Sequence, residues 1–226
     1  MNIKNLILII VAVLNFILGI IIFSKNKKNI VNILFVLLML GVSLWSMGLA
    51  LSRELAGTLD SLNWSRSTYF SSLFIGLILF YFSVVFPYSK KISFYNNILG
   101  LVPFVFLSLM MILKSDFIIK EMLVMPWGYD NVYMIGYPVF LIVLIYYFVL
   151  SFINFIRKYL NSEGIIRIQL RFIIISFGIA SIFGIIFDLI LPYYNYWKLN
   201  WLGPYFTIIV LFLIFYLIFY KPTKNI

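Results

Sequence analysis

The chain has 226 residues, of which 64% are hydrophobic and 11% charged, and its mean hydropathy is +1.10. A water-soluble protein of this length does not bury so much apolar surface, and the lack of cysteine and histidine excludes disulfides, thiolate or imidazole metal sites and a histidine base. We attribute the net charge of +10 to the basic bias of cytoplasmic membrane loops rather than to nucleic-acid binding.

Apolar runs recur along the chain at the length with which an α-helix crosses a bilayer, about 20 residues. The first run is followed by Lys25 and by no small-residue cleavage site, so we interpret it as a retained helix and not as a signal peptide. Backbone groups in lipid must be satisfied internally, which predicts an all-α polytopic membrane protein with a single domain over residues 1–226. The seven predicted helices lie near residues 5–24, 30–52, 67–87, 97–113, 133–156, 170–191 and 202–220.

The longest polar passage, residues 114–132, is amphipathic and aromatic, and we expect it to lie along the membrane interface. Basic residues favour one side of the predicted bundle, which places the amino terminus outside and the carboxyl terminus in the cytoplasm. The predicted cytoplasmic side carries Lys25, Lys27, Lys28, Lys90, Lys91, Arg157, Lys158, Arg167, Arg171, Lys221 and Lys224, against Lys4, Arg53, Arg66, Lys114, Lys120 and Lys198 outside.

Asp188 is the one acid within an apolar span. Charges inside a membrane are costly and usually face a bundle interior or a cavity, so Asp188 is the first candidate for a ligand-binding residue. Gly178, Ser181 and Gly184 fall on roughly the same helical face and predict close helix packing there. The alternative is a structural role, either a buried ion pair with Arg53, Arg66 or Lys198 or a hydrogen bond at the helix end.

Aromatic residues supply the other candidates. Trp45 shares a helical face with Gly41 and Gly48, which predicts a crowded helix contact, and Asn32 is expected to hydrogen-bond between helices. Five side chains from helices two, three, five, six and seven predict a ligand pocket that opens outward; they are Trp45, Tyr69, Tyr137, Asp188 and Tyr205. The competing interpretation is that these rings only fill the core or form an interfacial belt.

A membrane enzyme needs a nucleophile with a base, a metal site or a pair of carboxylates, and one buried acid provides none of these. We therefore predict a protein without catalysis and without a cofactor. A small transporter or channel subunit that uses Asp188 stays open as the alternative, although such proteins usually carry more polar groups within the membrane and an internal repeat.

The order and spacing of several motif residues resemble a known family. These residues are Asn32, Leu44, Trp45, Gly48, Trp64, Arg66, Phe86, Gln169, Arg171, Asp188 and Pro192. In their order and spacing the chain is similar to the amino-terminal seven-helix sensor module of bacterial histidine kinases and related signalling proteins over roughly residues 5–220.

The resemblance implies a multi-pass receptor in the cytoplasmic membrane of a bacterium that detects a stimulus or small ligand. The implied partners are the lipid bilayer, a small-molecule ligand and a cytoplasmic kinase or other output protein; a homodimer is compatible with the sequence. Only six residues follow predicted helix seven, so a phosphoacceptor histidine and an ATP-binding domain are expected in a partner or in a longer reading frame.

Overall fold

The computed structural model describes residues 2–88, 91–125 and 128–207, and in this part of the chain it has six long helices and one β-hairpin. All six helices are long and apolar enough to cross a membrane. The elements are α1 (Ile3–Lys25), α2 (Ile30–Glu54), α3 (Leu59–Val85), α4 (Phe94–Leu113), β1 (Ile119–Met125), β2 (Gly128–Tyr133), α5 (Gly136–Leu160) and α6 (Gly164–Gly184). A π-helical segment (Ile185–Ile190) and one α-helical turn (Leu191–Tyr193) continue α6.

Four of the helices begin at side chains that accept a hydrogen bond from a free backbone N–H of the first turn, as good N-caps do. These residues are Asn2, Asn29, Thr58 and Ser93. The starts of these four helices are therefore encoded locally, by polar caps that precede mostly hydrophobic helices.

The helices pack in an antiparallel order around α3, which has the most buried residues, whereas α4 is peripheral. One end of the bundle, called the hairpin end below, contains the β-hairpin and the α2–α3 connection. The opposite end contains the α1–α2, α3–α4 and α5–α6 connections. The hairpin end corresponds to the side predicted to be outside; the orientation itself stays a prediction.

Helix α3 begins at Leu59, eight residues before the predicted start at Ser67. Thr58 caps it, and Asp60 lies in its first turn, where a negative charge is favourable. Much of the polar passage that the sequence analysis placed in a loop is therefore helical. Helix α6 likewise begins earlier than predicted, at Gly164.

The segment before α5 also differs from expectation. Residues 119–125 and 128–133 form antiparallel strands with Met125 opposite Gly128, which the sequence analysis did not predict; the position of this segment along the membrane interface stays a prediction. In the sequence, Pro126 follows β1 and Gly128 opens β2, and proline and glycine between two strand sequences are typical of hairpins. Arg66 of α3 attaches the hairpin to the bundle, because its guanidinium donates to the carbonyl oxygen of Ile119 at 3.1 Å.

Residues 203–207 begin a further helix after the 3₁₀ turn Trp197–Leu199. Most of predicted helix seven, residues 208–220, lies outside the described residues.

Candidate functional site

A cavity of about 100 Å³ lies between α2, α3, α5 and α6, under the β-hairpin. Its size is comparable to that of a buried apolar cavity of roughly 150 Å³ that holds benzene in another protein. Most of its lining is apolar or aromatic, and a few polar groups lie towards the hairpin end. The described lining comprises Leu38, Val42, Trp45, Leu49, Ser65, Thr68, Tyr69, Ser72, Ile75, Leu79, Tyr129, Asn131, Leu144, Phe148, Phe177, Ala180, Ser181, Gly184, Ile185, Asp188, Leu189, Trp197, Asn200 and Thr207.

Helical periodicity explains the lining from α2. Leu38, Val42, Trp45 and Leu49 are separated by four, three and four residues, so they form one stripe along the helix. Trp45 is 9% exposed and lies in the middle of this stripe. It is thus both a packed side chain and part of a cavity wall, the two roles that the sequence analysis weighed against each other.

Asp188 lies in the π-helical segment and lines the cavity. Both of its carboxylate oxygens are buried, and neither has a hydrogen-bond partner among the described residues. The carboxylate lies directly against Gly203, where a Cβ would overlap it. No ion pair with Arg53, Arg66 or Lys198 forms in the part of the chain that the structure describes.

The β-hairpin adds Tyr129 and Asn131 to the cavity wall. They are two residues apart on β2 and so point to the same face of the strand. The Asn131 amide donates to the Ser65 hydroxyl at 3.1 Å, whereas its carbonyl oxygen is buried without a partner among the described residues. Sequence reasoning missed both residues, although a search for period-two alternation around Pro126 and Gly128 could have found the hairpin.

Burial at the hairpin end changes the pKa values of three residues of the β-hairpin. It raises the pKa of the Asp130 carboxyl, because the charged form is poorly solvated there. The same desolvation raises the pKa of Tyr129, and it raises that of Tyr133 well above its usual value. For all three groups, burial shifts the equilibrium towards the neutral form relative to a solvated side chain.

Two of the five predicted ligand-binding residues lie behind the described wall of the cavity instead of in it. Tyr137 is 1% exposed, packs edge-on against Tyr69 and donates a 2.7 Å hydrogen bond to the carbonyl oxygen of Leu189. Tyr205 packs against Trp201 beside α1 and α2. The structure brings Asp188, Trp45 and Tyr69 together in the wall, and Tyr137 supports both Tyr69 and the π-helical segment.

The predicted small residues have different neighbours. A Cβ at Gly41 would meet Ile75 of α3 at 2.8 Å, and one at Gly48 would meet the Ser67 hydroxyl at 3.0 Å, so both glycines lie at the close α2–α3 contact. Gly178 faces Phe152 of α5 at 3.8 Å, whereas a Cβ at Gly184 would meet no described atom within 4 Å.

Three of the predicted packing residues have other surroundings. Ser181 and Gly184 both line the cavity. Asn32 donates to the carbonyl oxygen of Asn26 at 3.3 Å, and this bond closes the α1–α2 turn instead of joining two spans as expected.

A wide polar depression of about 560 Å³ adjoins the cavity at the hairpin end. Tyr129 and Trp197 line both spaces, and their rings are 5.3 Å apart. Arg53 donates to Asn5 and Asn200, and Asn200 donates to the Tyr129 hydroxyl at 3.3 Å. This chain of hydrogen bonds holds the aromatic pair between the depression and the cavity.

The described residues contain no group of three or more acidic side chains that could hold a metal ion. The family model for the N-terminal 7TM region of histidine kinase matches residues 7–225 of the chain. No curated protein and no solved structure matches the chain significantly.

Proposed function

Because the chain belongs to the family of N-terminal seven-transmembrane regions of histidine kinases, which are the sensory modules of those enzymes, we propose that it detects a small ligand in the cavity at the hairpin end. It then signals to a cytoplasmic output protein or domain and performs no catalysis itself. The observation that carries this proposal is the cavity, whose wall combines apolar and aromatic surface with a few placed polar groups, as ligand sites do.

The signal requires a path from the cavity to the opposite end of the bundle. Phe177 of α6 lines the cavity and stacks on Phe155 of α5, with ring centroids 6.4 Å apart. Phe82 of α3 contacts both rings. A ligand that displaces α6 would therefore push on a packed set of rings, and close-packed interiors transmit such displacements.

The π-helical segment is the element of α6 that we expect to move. π-Helical turns are rare and are often found at functional sites, since their extra residue loosens the backbone ladder. This segment carries Asp188 and Leu189 into the cavity wall, so ligand contact and helix geometry change together.

Ligand-dependent stabilisation of the purified protein tests the cavity. A panel of small molecules is screened by thermal shift against the wild type, Trp45→Ala and Trp64→Ala, where Trp64 is exposed on α3 and lies outside the cavity. We expect hits on the wild type and Trp64→Ala that are lost in Trp45→Ala. Trp45→Phe serves as the folded control if the alanine variant is unstable.

Hits that stabilise all variants equally would refute the cavity as the binding site. Ion- or proton-dependent flux in liposomes that disappears in Asp188→Asn would instead support the transporter alternative.

The proposed orientation has a direct test, because the chain contains no cysteine. We expect a membrane-impermeant maleimide to label Asp60→Cys at the hairpin end in intact cells and to leave Lys27→Cys at the opposite end unlabelled. Both positions are exposed. The reverse labelling pattern would place the cavity on the cytoplasmic side.

A further inference from the structure

The unpartnered polar atoms of the cavity wall are mostly acceptors. They are the two carboxylate oxygens of Asp188 and the amide oxygen of Asn131. The one fully buried donor without a partner in the described wall is the Trp197 indole N–H. Buried polar groups are normally satisfied, so these orphans indicate what an occupant has to offer, namely hydrogen-bond donors.

Three hydroxyl groups around the cavity already donate to backbone carbonyl oxygens. Thr68 donates to the carbonyl oxygen of Ser65 at 2.6 Å, and Ser72 donates to that of Thr68 at 2.8 Å. Thr207 donates to the carbonyl oxygen of Pro204 at 2.6 Å. An anionic ligand would need free donors, and these three hydroxyls already donate elsewhere.

The formal charge of the described wall also favours an occupant that donates hydrogen bonds and carries a positive charge. Asp188 is its one ionisable acid, and no lysine or arginine belongs to it. Arg53 approaches from the depression, where its guanidinium is held by Asn5 and Asn200. The aromatic rings of Trp45, Tyr69 and Trp197 add faces that attract cations.

We propose that the cavity binds a small organic ammonium ion, with its apolar chain among the α2 and α3 side chains and its N–H groups directed to Asp188 and Asn131. This inference rests on the proposed ligand-binding function and specifies the chemical class of the ligand. An ammonium group offers up to three donors and a positive charge. These match the three unpartnered acceptor atoms, two of which belong to the Asp188 carboxylate. The cavity of about 100 Å³ limits the ligand to a few heavy atoms.

Three probes of about equal size and different charge test the inference: butylammonium, 1-butanol and propanoate. Binding to the protein in nanodiscs is measured by saturation-transfer NMR, with empty nanodiscs as the blank for partitioning into lipid. We expect the wild type to bind butylammonium at least about tenfold more tightly than 1-butanol, which corresponds to about 1.4 kcal/mol, and propanoate least. Asp188→Asn, which keeps the shape of the side chain, should abolish this preference for the ammonium ion.

Asp60→Asn is the matched control, because it removes an exposed carboxylate outside the cavity, and it should bind all three probes like the wild type. Binding of 1-butanol or propanoate as tight as that of butylammonium, and sensitive to Trp45→Ala, would overturn the ammonium inference and leave the cavity as a ligand site. If none of the three probes binds, the ammonium inference fails; the thermal-shift panel then decides separately whether the cavity binds any ligand.

Discussion

The two ends of the bundle are built differently. At the hairpin end, a cavity, a π-helical segment and several unpartnered polar atoms lie together. Towards the opposite end, five buried phenylalanines from α2, α3, α5 and α6 fill the same interior. This set, called the Phe cluster below, comprises Phe35, Phe82, Phe86, Phe155 and Phe177.

At the opposite end, a charged side chain satisfies backbone carbonyl oxygens at the end of a helix. The Lys158 ammonium of α5 donates to the carbonyl oxygens of Ser83 and Val84 at 2.7 Å and also to that of Phe86, so it caps the end of α3. We infer from this contrast that the two ends have different roles. The hairpin end has space and unpartnered polar groups for a ligand, whereas the opposite end is packed closely enough to move as a unit. Substitutions at the two ends should accordingly affect different properties.

The largest effect is expected from Phe82→Ala, at the centre of the Phe cluster. Phe82 is completely buried, and truncating a buried phenylalanine to alanine typically destabilises a protein by about 3–5 kcal/mol, because a cavity remains. Thermal unfolding in detergent measures the loss. The control is Phe106→Ala on the exposed face of α4, where Phe106 is 52% exposed. Equal shifts in the two variants would show that the opposite end is no better packed than the surface.

Lys158→Met tests the polar contact at the same end of the bundle. It keeps much of the aliphatic chain and removes the ammonium, so the carbonyl oxygens at the end of α3 lose their donor. Hydrogen bonds to charged groups contribute about 1.5–3 kcal/mol, and we expect a decrease in stability of that order by thermal unfolding. Arg157→Met, at the exposed neighbouring position, should change the melting temperature far less. If the two variants unfold together, the cap is not a stabilising contact.

Gly203→Ala tests the hairpin end, since the added Cβ would overlap the Asp188 carboxylate. Overpacking of this kind costs about 1–3 kcal/mol, and the displaced carboxylate should also weaken butylammonium binding. Gly178→Ala is matched in chemistry, but its Cβ would meet only the Phe152 ring, at an ordinary contact distance of 3.8 Å, outside the described cavity wall. We expect that control to keep both the wild-type melting temperature and the wild-type binding. Equal loss in both variants would mean that contact with Asp188 does not decide the effect, because alanine is favoured over glycine within a helix and should not by itself destabilise it.

The smallest effect is expected from Asp130→Asn in β2. Burial raises the pKa of this carboxyl above its ordinary value of 3.8, so the folded state holds the proton more tightly than the unfolded state does. The folded protein therefore loses stability as the pH rises through that raised pKa. The asparagine variant should be more stable than the wild type at about pH 7, by less than about 1 kcal/mol, with the difference shrinking towards about pH 4. A difference in melting temperature that does not change with pH would exclude this origin.

The sequence predicted the membrane class, four of the six described spans to within a few residues at both ends, and the family, which the match over residues 7–225 confirms. These properties depend on local hydrophobic runs and on the order of motif residues. The start of α3 shows the limit of that reading: Thr58 and Asp60 begin the helix within a passage that hydropathy alone assigns to a loop.

Some properties of Asp188 follow from the sequence, and others depend on the tertiary structure. A lone acid within an apolar run indicates an interior position in any fold, because lipid exposure of a carboxylate is costly. Its unpartnered oxygens and its contact with Gly203 depend on how the chain returns after the Trp197–Leu199 turn, and no spacing in the sequence records that return.

The cavity itself was decided by the tertiary structure. Its wall joins α2, α3, α5, α6 and β2, whose residues are far apart in the chain, and a change of one helical position would replace Tyr69 by a neighbour. Tyr137 demonstrates this sensitivity. It packs against Tyr69, but it lies behind the cavity wall and donates a hydrogen bond to the carbonyl oxygen of Leu189. Periodicity fixes which face of a helix is buried; only the packing of several helices against one another determines where that buried face leaves space.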